Sequence, residues 1–550
     1  MRIRKFFIIL GLGSTLLVGS AFIVTDNPYF KIVRNLDIFA SLFKEVNALY
    51  VDEIDPEKTI RVGIDAMLQS LDPYTVYIPE EDFDAYLTMT TGEYAGIGAL
   101  IGRINDKVVI TMPNEGFPAA KAGIAIGDQI LSIDGIGMSG KSSREVSKLL
   151  KGPTGTEVKL KLLRPWIDSI YTVTIKRTKI ILDNVPYYGF VTDEIGYIKL
   201  TDFTTQASNE VKNALVDLKH RGAKKIILDL RGNPGGILQE AVAICNLFIP
   251  QGKQVVETKG KQTQWNHTYN TQNSAVDTSI PLAVLTSSNS ASASEIVSGT
   301  LQDYDRAVLV GRKTFGKGLV QKTIPLAYNS QLKVTTAKYY IPSGRCIQAI
   351  DYSHRNPDGS VGRIPDSLMV AFKTAHGRTV FDGGGINPDV EVESSYLSAI
   401  SVSLINKALI FDYATFYFQE HKNKLWNDNS LLTEDEYANF ITWLSDKDYD
   451  YVSPLEKAVT ELKEEAKKEG FDQVISSEIQ RLEQQVAHSK EKDMITFKDE
   501  INMLLSEEIA SRYHLLKGQI ASSLKHDPDV KAAIKVLEEP DRYSQLLALN

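Results

Sequence analysis

A turn of small residues around Ser292 has a composition that suits a nucleophile. Ser290-Ala-Ser-Ala-Ser-Glu295 comes directly after the apolar run Pro281–Leu285, which predicts a buried strand. A small-residue turn between a strand and a helix lets a hydroxyl protrude and places backbone N–H groups of the helix start beside it. Serine-rich turns also serve as plain helix caps, so this segment alone leaves catalysis and capping open.

A glycine-rich segment further along supplies a candidate general base, Lys317. Gly311-Arg-Lys-Thr-Phe-Gly-Lys-Gly-Leu-Val-Gln321 nearly matches a phosphate-binding loop, but Gly318 stands where a metal-binding hydroxyl is needed, and a strand is predicted to follow. A lysine with the ordinary pKa of about 10.4 is protonated at neutral pH. Burial in a dry pocket disfavours the ammonium and lowers that pKa, so a buried lysine can accept a proton.

A third segment, Asp229-Leu-Arg-Gly-Asn-Pro-Gly-Gly236, follows the predicted strand Lys225–Leu230. Pro-Gly-Gly after a strand presents backbone N–H groups in conformations that only glycine adopts easily, which suits an oxyanion donor. A tight turn without chemistry is the alternative.

Gly96-Ile-Gly98 lacks the correctly spaced third glycine of a dinucleotide-binding fingerprint.

The whole chain has the composition of an ordinary folded protein, with 43% hydrophobic and 24% charged residues. Its 550 residues are too many for one hydrophobic core, so we expect three or more domains. A net charge of −8 and the lack of any block of basic residues argue against a nucleic-acid binder. Cys245 and Cys346 make no disulfide framework and are predicted to be buried thiols.

The N-terminus predicts export. Met1-Arg-Ile-Arg-Lys5 is basic, and no charge follows from Phe6 to Val24. That order is typical of a secretory signal or of an uncleaved anchor with a cytoplasmic N-terminus. The run is long enough to span a membrane, whereas Gly19-Ser-Ala21 permits cleavage. A buried core helix is a third alternative. We expect the rest of the chain to be periplasmic, either cleaved or anchored in the inner membrane.

The predicted elements indicate an α/β multidomain protein in five parts. A signal peptide or membrane anchor is expected over residues 1–25, and helical spacing from Ile38 to Tyr50 places an N-terminal helical part at 26–90. Short strands separated by glycines occupy 91–178. Alternating strands and helices over 179–398 predict a mixed α/β sheet, and a charged helical domain follows at 399–550.

The three chemical segments together resemble the carboxy-terminal processing peptidases, the tail-specific serine proteases of family S41. The matching motifs occur in the family's order and spacing over roughly residues 35 to 395. The resemblance implies a serine endopeptidase whose protease core has a mixed sheet and occupies residues 179–398. The motifs are Gly-Asn-Pro-Gly-Gly236, Ser-Ala-Ser-Ala-Ser-Glu-Ile296, Leu-Gln-Asp-Tyr304, Thr-Phe-Gly-Lys-Gly318, Tyr339-Tyr-Ile-Pro-Ser-Gly344 and Gly384-Gly-Ile-Asn-Pro-Asp389.

The same resemblance implies a role for each site residue. Ser292 would be the nucleophile and Lys317 the general base, with Gln321 helping to hold the lysine. The backbone N–H groups of Gly236 and Ala293 would bind the oxyanion. An acyl-enzyme that water resolves follows from this pair, with no metal or cofactor. A Ser–His–Asp arrangement is the alternative, and His220 and His267 are the histidines nearest in sequence.

Residues 91–178 resemble a PDZ domain of the kind inserted in these proteases. Gly96, Ile97, Gly98 and Ala99 match the loop whose N–H groups bind a terminal carboxylate. In such domains an extended peptide adds a strand to a sheet edge. Arg164, at the end of a predicted strand, is a candidate link between tail binding and the active site. Two further matches are Gly116-Phe-Pro-Ala-Ala-Lys-Ala-Gly123 and Gly127-Asp-Gln-Ile-Leu-Ser-Ile-Asp-Gly135.

We therefore predict an endopeptidase that recognises the C-terminal tails of exported proteins and cleaves them through a Ser–Lys dyad. Its partners would be polypeptides with accessible C-termini, no nucleic acid, and the membrane if the N-terminal segment is retained. The helices of 399–550 are candidates for homo-oligomer or adaptor contacts. One alternative is a non-catalytic PDZ scaffold in the cell envelope, and another is a hydrolase of non-peptide acyl groups. Whether the dyad is assembled at rest is left open.

Overall fold

The chain divides into two units, residues 1–77 and residues 78–550. The computed structural model describes residues 28–356, 359–394, 396–427, 430–486 and 490–549. The predicted signal or anchor, residues 1–25, lies outside the described residues. Within them no single helix is long and apolar enough to cross a membrane, although one bent pair, Ala399–Asn406 with Leu409–Glu420, passes by length and composition.

Two helices dominate the described part of the first unit, as the four-residue apolar spacing predicts. Asp55 caps the second helix, since its carboxylate accepts hydrogen bonds from the backbone N–H groups of Glu57 and Lys58 at 3.0 and 3.2 Å. The elements are α1 Pro28–Leu49 and α2 Pro56–Gln69, followed by strand β1 Val76–Ile78 at the boundary.

A β-rich domain follows helix α3, Phe83–Thr91. Its six-stranded sheet has the order β3-β4-β5-β7-β8 with β6 beside β5, and a separate antiparallel pair, β2 with β9, joins the entry and exit of the domain. Strand β7 alternates, so Val158, Leu160 and Leu162 are fully buried. The elements are β2 Glu93–Gly96, β3 Ala99–Ile104, β4 Lys107–Pro113, α4 Pro118–Lys121, β5 Gln129–Ile133, β6 Ile136–Gly137, α5 Ser143–Leu150, β7 Glu157–Arg164, β8 Ser169–Lys176 and β9 Thr178–Ile181.

The central sheet of the second unit has the order β10-β11-β12-β15-β16-β23. Strand β10 is antiparallel to β11, and every other neighbouring pair is parallel. Cys245 is buried and Cys346 partly buried, and both are free thiols. The elements are β10 Tyr187–Phe190, β11 Ile195–Lys199, α6 Ala207–His220, β12 Lys225–Asp229, α7 Leu238–Phe248, β15 Leu282–Thr286, α8 Ala293–Asp303, β16 Val308–Gly311 and β23 Val390–Glu391.

Different helices pack on the two faces of the central sheet. Helices α6, α7 and α8 are the crossovers between successive parallel strands, and all three pack on one face. Right-handed crossovers that run in one direction along a sheet put their helices on the same side. The opposite face is covered instead by two helices from the end of the chain, α16 Pro528–Glu538 and α17 Pro540–Leu546.

A second, antiparallel sheet joins β13, β14, β17 and β18, and β18 lies between β13 and β17. Two small antiparallel pairs, β19 with β20 and β21 with β22, follow it. The elements are β13 Gln254–Gly260, β14 His267–Asn270, β17 Leu319–Pro325, β18 Gln331–Tyr340, β19 Ile350–Arg355, β20 Val361–Arg363, β21 Ala371–Lys373 and β22 Thr379–Phe381.

The chain after residue 398 is helical, as predicted, and has an aromatic core around Tyr413, Tyr417 and Phe440. A capping box begins α12, since Glu456 and Ser453 bond each other's backbone N–H. The elements are α9 Ala399–Asn406, α10 Leu409–Glu420, α11 Glu434–Leu444, α12 Pro454–Lys468, α13 Ser476–Val486, α14 Lys490–Thr496 and α15 Lys498–Leu524, followed by α16 and α17.

Candidate active site

The three chemical segments leave the central sheet at the same edge. The Pro-Gly-Gly segment follows β12, the serine segment follows β15, and the lysine segment follows β16. Because these neighbouring strands are parallel, their carboxyl ends lie together, and this is where open α/β sheets place their sites. The serine and lysine segments are also bonded directly, since the Phe315 N–H donates to the Ser290 carbonyl at 3.0 Å.

Ser292 immediately precedes helix α8 and has a backbone conformation that is rare for a residue with a side chain. Its φ is +55° and its ψ is −110°, and its side chain is half-buried. All of α8 behind it is buried. A strained turn from strand to helix is the arrangement that exposes a serine hydroxyl at the top of a sheet.

The Pro-Gly-Gly turn packs directly against this serine. A Cβ added to Gly235 would lie 2.9 Å from Ser292 Cβ, and one added to Gly236 would lie 2.5 Å from the Phe203 carbonyl oxygen. Only glycine therefore fits at either position. Among the contacts of the described residues, the N–H groups of Gly236 and Ala293 donate to no other group. Both remain available to an oxyanion at the start of α8.

One buried carboxylate holds the serine and lysine segments together. Glu295 Oε2 accepts hydrogen bonds from the backbone N–H groups of Ser292 and Lys317, each at 2.8 Å. Glu295 Oε1 accepts from the Thr314 hydroxyl at 2.5 Å and the Gly316 N–H at 2.7 Å. Burial raises the pKa of Glu295, and these four hydrogen bonds oppose that rise because they favour the ionised form.

A tyrosine hydroxyl lies between the carbonyl groups of the same two residues. Tyr339, on β18, is buried, and its Oη lies 3.1 Å from the Ser292 carbonyl oxygen and 2.5 Å from that of Lys317. The backbones of the two predicted catalytic residues are thus joined on the N–H side by Glu295, and on the carbonyl side the single Tyr339 hydroxyl hydrogen lies within reach of both oxygens.

Lys317 and Gln321 lie on the lysine segment and the strand that follows it. A strand, β17, continues from Leu319 where a phosphate-binding loop would begin a helix. The Lys317 side chain is half-buried. The Gln321 side-chain amide donates to the Thr335 hydroxyl at 3.3 Å across the β17–β18 pair. The role of Gln321 in holding the lysine remains a prediction.

The predicted carboxylate-binding loop lies beside an open sheet edge. Strand β3 begins at Ala99, and within the described residues no strand pairs with its outer side. Ile97 is buried, and its carbonyl accepts from the Ala119 N–H at 2.8 Å. Gly98 has φ +72°, and an added Cβ would lie 2.5 Å from Phe117 Cβ. The loop is therefore fixed in one shape that requires glycine.

Arg164, the candidate link to the active site, is bound inside the β-rich domain. Its guanidinium donates to the Asp128 carboxylate at 2.7 and 2.8 Å and to the Gly123 carbonyl at 2.8 Å. Asp128 is fully buried. These contacts give Arg164 a structural role in its own domain.

Sequence reasoning assigned no role to Glu295 or Tyr339, although both lie in motifs that it used. For Glu295 a signal was present, because Ser292-Ala-Ser-Glu295 has the spacing of a capping box. For Tyr339 the sequence carried no such signal. Its hydroxyl contacts the carbonyl groups of Ser292 and Lys317, which are distant in sequence, and no local pattern reveals such a contact.

Three protein-family models together match most of the chain. Residues 194–361 match the model of peptidase family S41, residues 109–164 a PDZ domain, and residues 400–537 the probable PDZ-protease C-terminal helical domain. The predicted mixed α/β fold with a PDZ domain and helical ends is confirmed.

Two relatives and one solved structure are similar to this chain over more than half of its length. The chain is 36% identical over 343 residues to a carboxy-terminal-processing protease of Bartonella bacilliformis, covering 62% of this chain and 78% of the relative. It is 33% identical over 430 residues to a probable CtpA-like serine protease of Staphylococcus aureus, covering 76% and 84%. A solved photosystem II D1 C-terminal processing protease is 25% identical over 64% of this chain and 92% of its own, with a TM-score of 0.36.

The Glu295 contacts generate a prediction for Glu295→Gln. A glutamine offers one acceptor oxygen and turns an NH₂ group toward N–H donors, so the serine and lysine segments must separate. We expect kcat for an unstructured peptide to fall about 100-fold, the scale of a misplacement near 1 Å, with KM nearly unchanged. Steady-state kinetics and a thermal melt of each variant measure this.

Glu210→Gln is the matched control. Glu210 is partly buried and, like Glu295, accepts hydrogen bonds, from the Val185 N–H at 2.9 Å and the Asn184 side chain at 2.8 Å, but among the described residues it bonds to neither catalytic segment. We expect its kcat to equal that of the wild type. A Glu295→Gln protein with a kcat within twofold of the wild type would contradict the role given to Glu295.

Proposed function

The chain belongs to peptidase family S41 as a carboxy-terminal-processing serine protease with a PDZ domain, and we propose that Ser292 and Lys317 are its catalytic dyad. The observation that carries the proposal is the shared carboxylate of Glu295, which binds the backbone N–H of both residues at 2.8 Å. A contact of this kind keeps a nucleophile and its base at a fixed separation.

In the proposed reaction, the Ser292 oxygen attacks a peptide carbonyl while Lys317, uncharged, takes the hydroxyl proton. The resulting oxyanion accepts hydrogen bonds from the N–H groups of Gly236 and Ala293. Collapse breaks the C–N bond, and Lys317 returns its proton to the leaving amine. Water then attacks the acyl-enzyme and loses a proton to Lys317; the ester C–O bond breaks, and Lys317 gives that proton to the Ser292 oxygen as the new carboxyl end leaves. Gln321 helps to orient the lysine in this scheme.

Three observations favour this dyad over the alternatives. His220 ends helix α6 and His267 begins β14, in the second sheet, whereas Lys317 shares a hydrogen-bond acceptor with Ser292. A silent scaffold has no need of two N–H donors left without acceptors beside a strained serine. A hydrolase of other acyl groups has no use for a domain that binds peptide ends.

We further propose that the PDZ domain holds the substrate's C-terminal tail. The open outer edge of β3 can accept an extended peptide as an added strand, next to helix α5. The loop of Gly96, Ile97, Gly98 and Ala99 lies at the start of that strand, where the terminal carboxylate of such a peptide would end.

The substrates are proposed to be exported proteins. The support is the N-terminal charge order, a basic Met1–Lys5 before an uncharged run from Phe6 to Val24. The protease would then work in the periplasm, either released or anchored in the inner membrane.

Substitution of either dyad residue tests the mechanism. We expect Ser292→Ala and Lys317→Ala to abolish cleavage of an unstructured peptide, because the first removes the nucleophile and the second the base. Lys317→Arg should be equally inactive, since a guanidinium stays protonated. Binding of a tail peptide, measured by calorimetry, should be unchanged. Lys322→Ala, at a nearby position on β17, is the control, and wild-type turnover in either dyad variant excludes the dyad.

A pair of peptides tests tail recognition. The two are identical except that one ends in a carboxylate and the other in a carboxamide. We expect kcat/KM to be about 10-fold or more lower for the amide, one charge-assisted contact being worth roughly 1.5–3 kcal/mol. Gly98→Ala should erase the difference, because the added Cβ meets Phe117. Gly135→Ala, at φ +83° with open space around it, should preserve it. Equal rates for both peptides on the wild type would refute carboxylate recognition.

A fusion tests export. Residues 1–30 are joined to an alkaline phosphatase that is active only outside the cytoplasm, and the expected result is phosphatase activity in whole cells. Charging the apolar run with Leu16→Arg and Leu17→Arg should abolish that activity. An inactive fusion with the natural segment, present at normal levels, would count against an exported protease.

A further inference from the structure

The C-terminal helices reach the edge of the sheet at which the dyad segments lie. Helix α16 packs on β12, β15 and β16, the strands that precede those segments. Asp527 caps this helix, since its Oδ1 accepts from the N–H groups of Asp529 and Val530 at 2.9 and 3.1 Å. The start of α16 is thereby fixed. The buried residues of α16 include Val530, Ala533, Val536 and Leu537, which face the sheet.

Asp529, in the first turn of α16, binds both catalytic segments at once. Its Oδ2 accepts from Arg231 Nη1 at 2.8 Å and from Arg312 Nη2 at 2.9 Å. Arg231 lies in the Pro-Gly-Gly segment that carries Gly236, and Arg312 lies in the segment that carries Lys317. The Asp529 side chain is 1% exposed, whereas Arg231 is 16% and Arg312 29% exposed, so water screens these pairs only in part.

The two arginines depend on Asp529 to different degrees. Arg231 also binds Asp229 at 2.7 Å and Asp527 at 2.7 Å. Burial alone would lower the pKa of Arg231, but the neighbouring carboxylates raise it above its ordinary value. Among the described residues, the Arg312 guanidinium has one further hydrogen bond, to the Glu393 carbonyl at 3.5 Å, besides its bond to Asp529. Loss of Asp529 would therefore affect the Arg312 side chain more than the Arg231 side chain, while the Arg312 backbone stays bonded to Thr286.

We propose that Asp529 is a positioning residue for the dyad, and that the C-terminal helices fix the separation between the oxyanion donor and the general base. Removing one partner of a buried ion pair leaves the other charge uncompensated, so the segment that carries it moves. The inference rests on the proposed dyad. It assigns the helical C-terminus a part in catalysis, in addition to any contact with other proteins.

Asp529→Ala and Asp529→Asn test this role. We expect the alanine variant to lose about 10- to 100-fold in kcat with KM within about threefold, because a displaced base slows chemistry more than binding. The asparagine variant keeps an acceptor oxygen and should recover part of the loss. Kinetics are measured on the full chain, at a temperature where circular dichroism shows each variant to be folded.

Glu508→Ala is the control for general destabilisation. Glu508 pairs with buried Arg512 at 2.5 Å within α15 and contacts neither catalytic segment. We expect it to lower the melting temperature and leave kcat unchanged. An equal loss of kcat in Glu508→Ala would overturn the proposal, as would a wild-type kcat in folded Asp529→Ala.

Arg312→Gln keeps the test decisive if Asp529→Ala does not fold. Arg312 is partly exposed, and its loss should reduce kcat by a similar factor. In the double variant with Asp529→Asn the two losses should not add, because Arg312→Gln removes and Asp529→Asn weakens the same contact. Additive losses would contradict the shared contact. The dyad itself is judged separately, by Ser292→Ala and Lys317→Ala, so either idea can fail without the other.

Discussion

The Glu295 carboxylate lies between two chain segments that are distant in sequence and accepts hydrogen bonds from both. A buried carboxylate is unfavourable unless its oxygens are bonded, and here each oxygen has two donors. Its stability therefore requires that the serine and lysine segments stay in place. Conversely, the strained backbone of Ser292 is maintained because its N–H and its carbonyl both have partners, Glu295 and Tyr339.

The topology explains why the site needs support from the end of the chain. Crossovers of one hand place α6, α7 and α8 on the same face of the sheet and leave the other face without a cover. Helix α16 fills that place, and its first turn then lies at the carboxyl ends of β12, β15 and β16. The fold thus brings a buried Asp529 beside the catalytic segments as a consequence of covering the sheet.

Much of this arrangement could be predicted from local patterns. The apolar runs Lys225–Leu230 and Pro281–Leu285 predicted two of the parallel strands, β12 and β15, to within one residue at each end. Turn composition identified the segments of Gly236, Ser292 and Lys317, because small residues and glycines are needed there for steric reasons. What local patterns could not reveal is pairing over distance. The contact of Asp529 with Arg231 and Arg312 joins residues over 200 positions apart, and charged residues near a helix start usually indicate no more than capping.

The C-terminal helices are a structural part of the protease, because they bury one whole face of the central sheet. Residues of four strands, among them Tyr197, Ile227, Leu285 and Val310, are fully or almost fully buried under these helices. Exposing a side chain of this size costs roughly 1.5–3 kcal/mol, and a whole domain is stable by only about 5–15 kcal/mol. Uncovering four such residues would consume most of that stability. The helices are consequently needed for the sheet to fold. The packing of these helices on the sheet also positions the catalytic segments at the carboxyl ends of its strands.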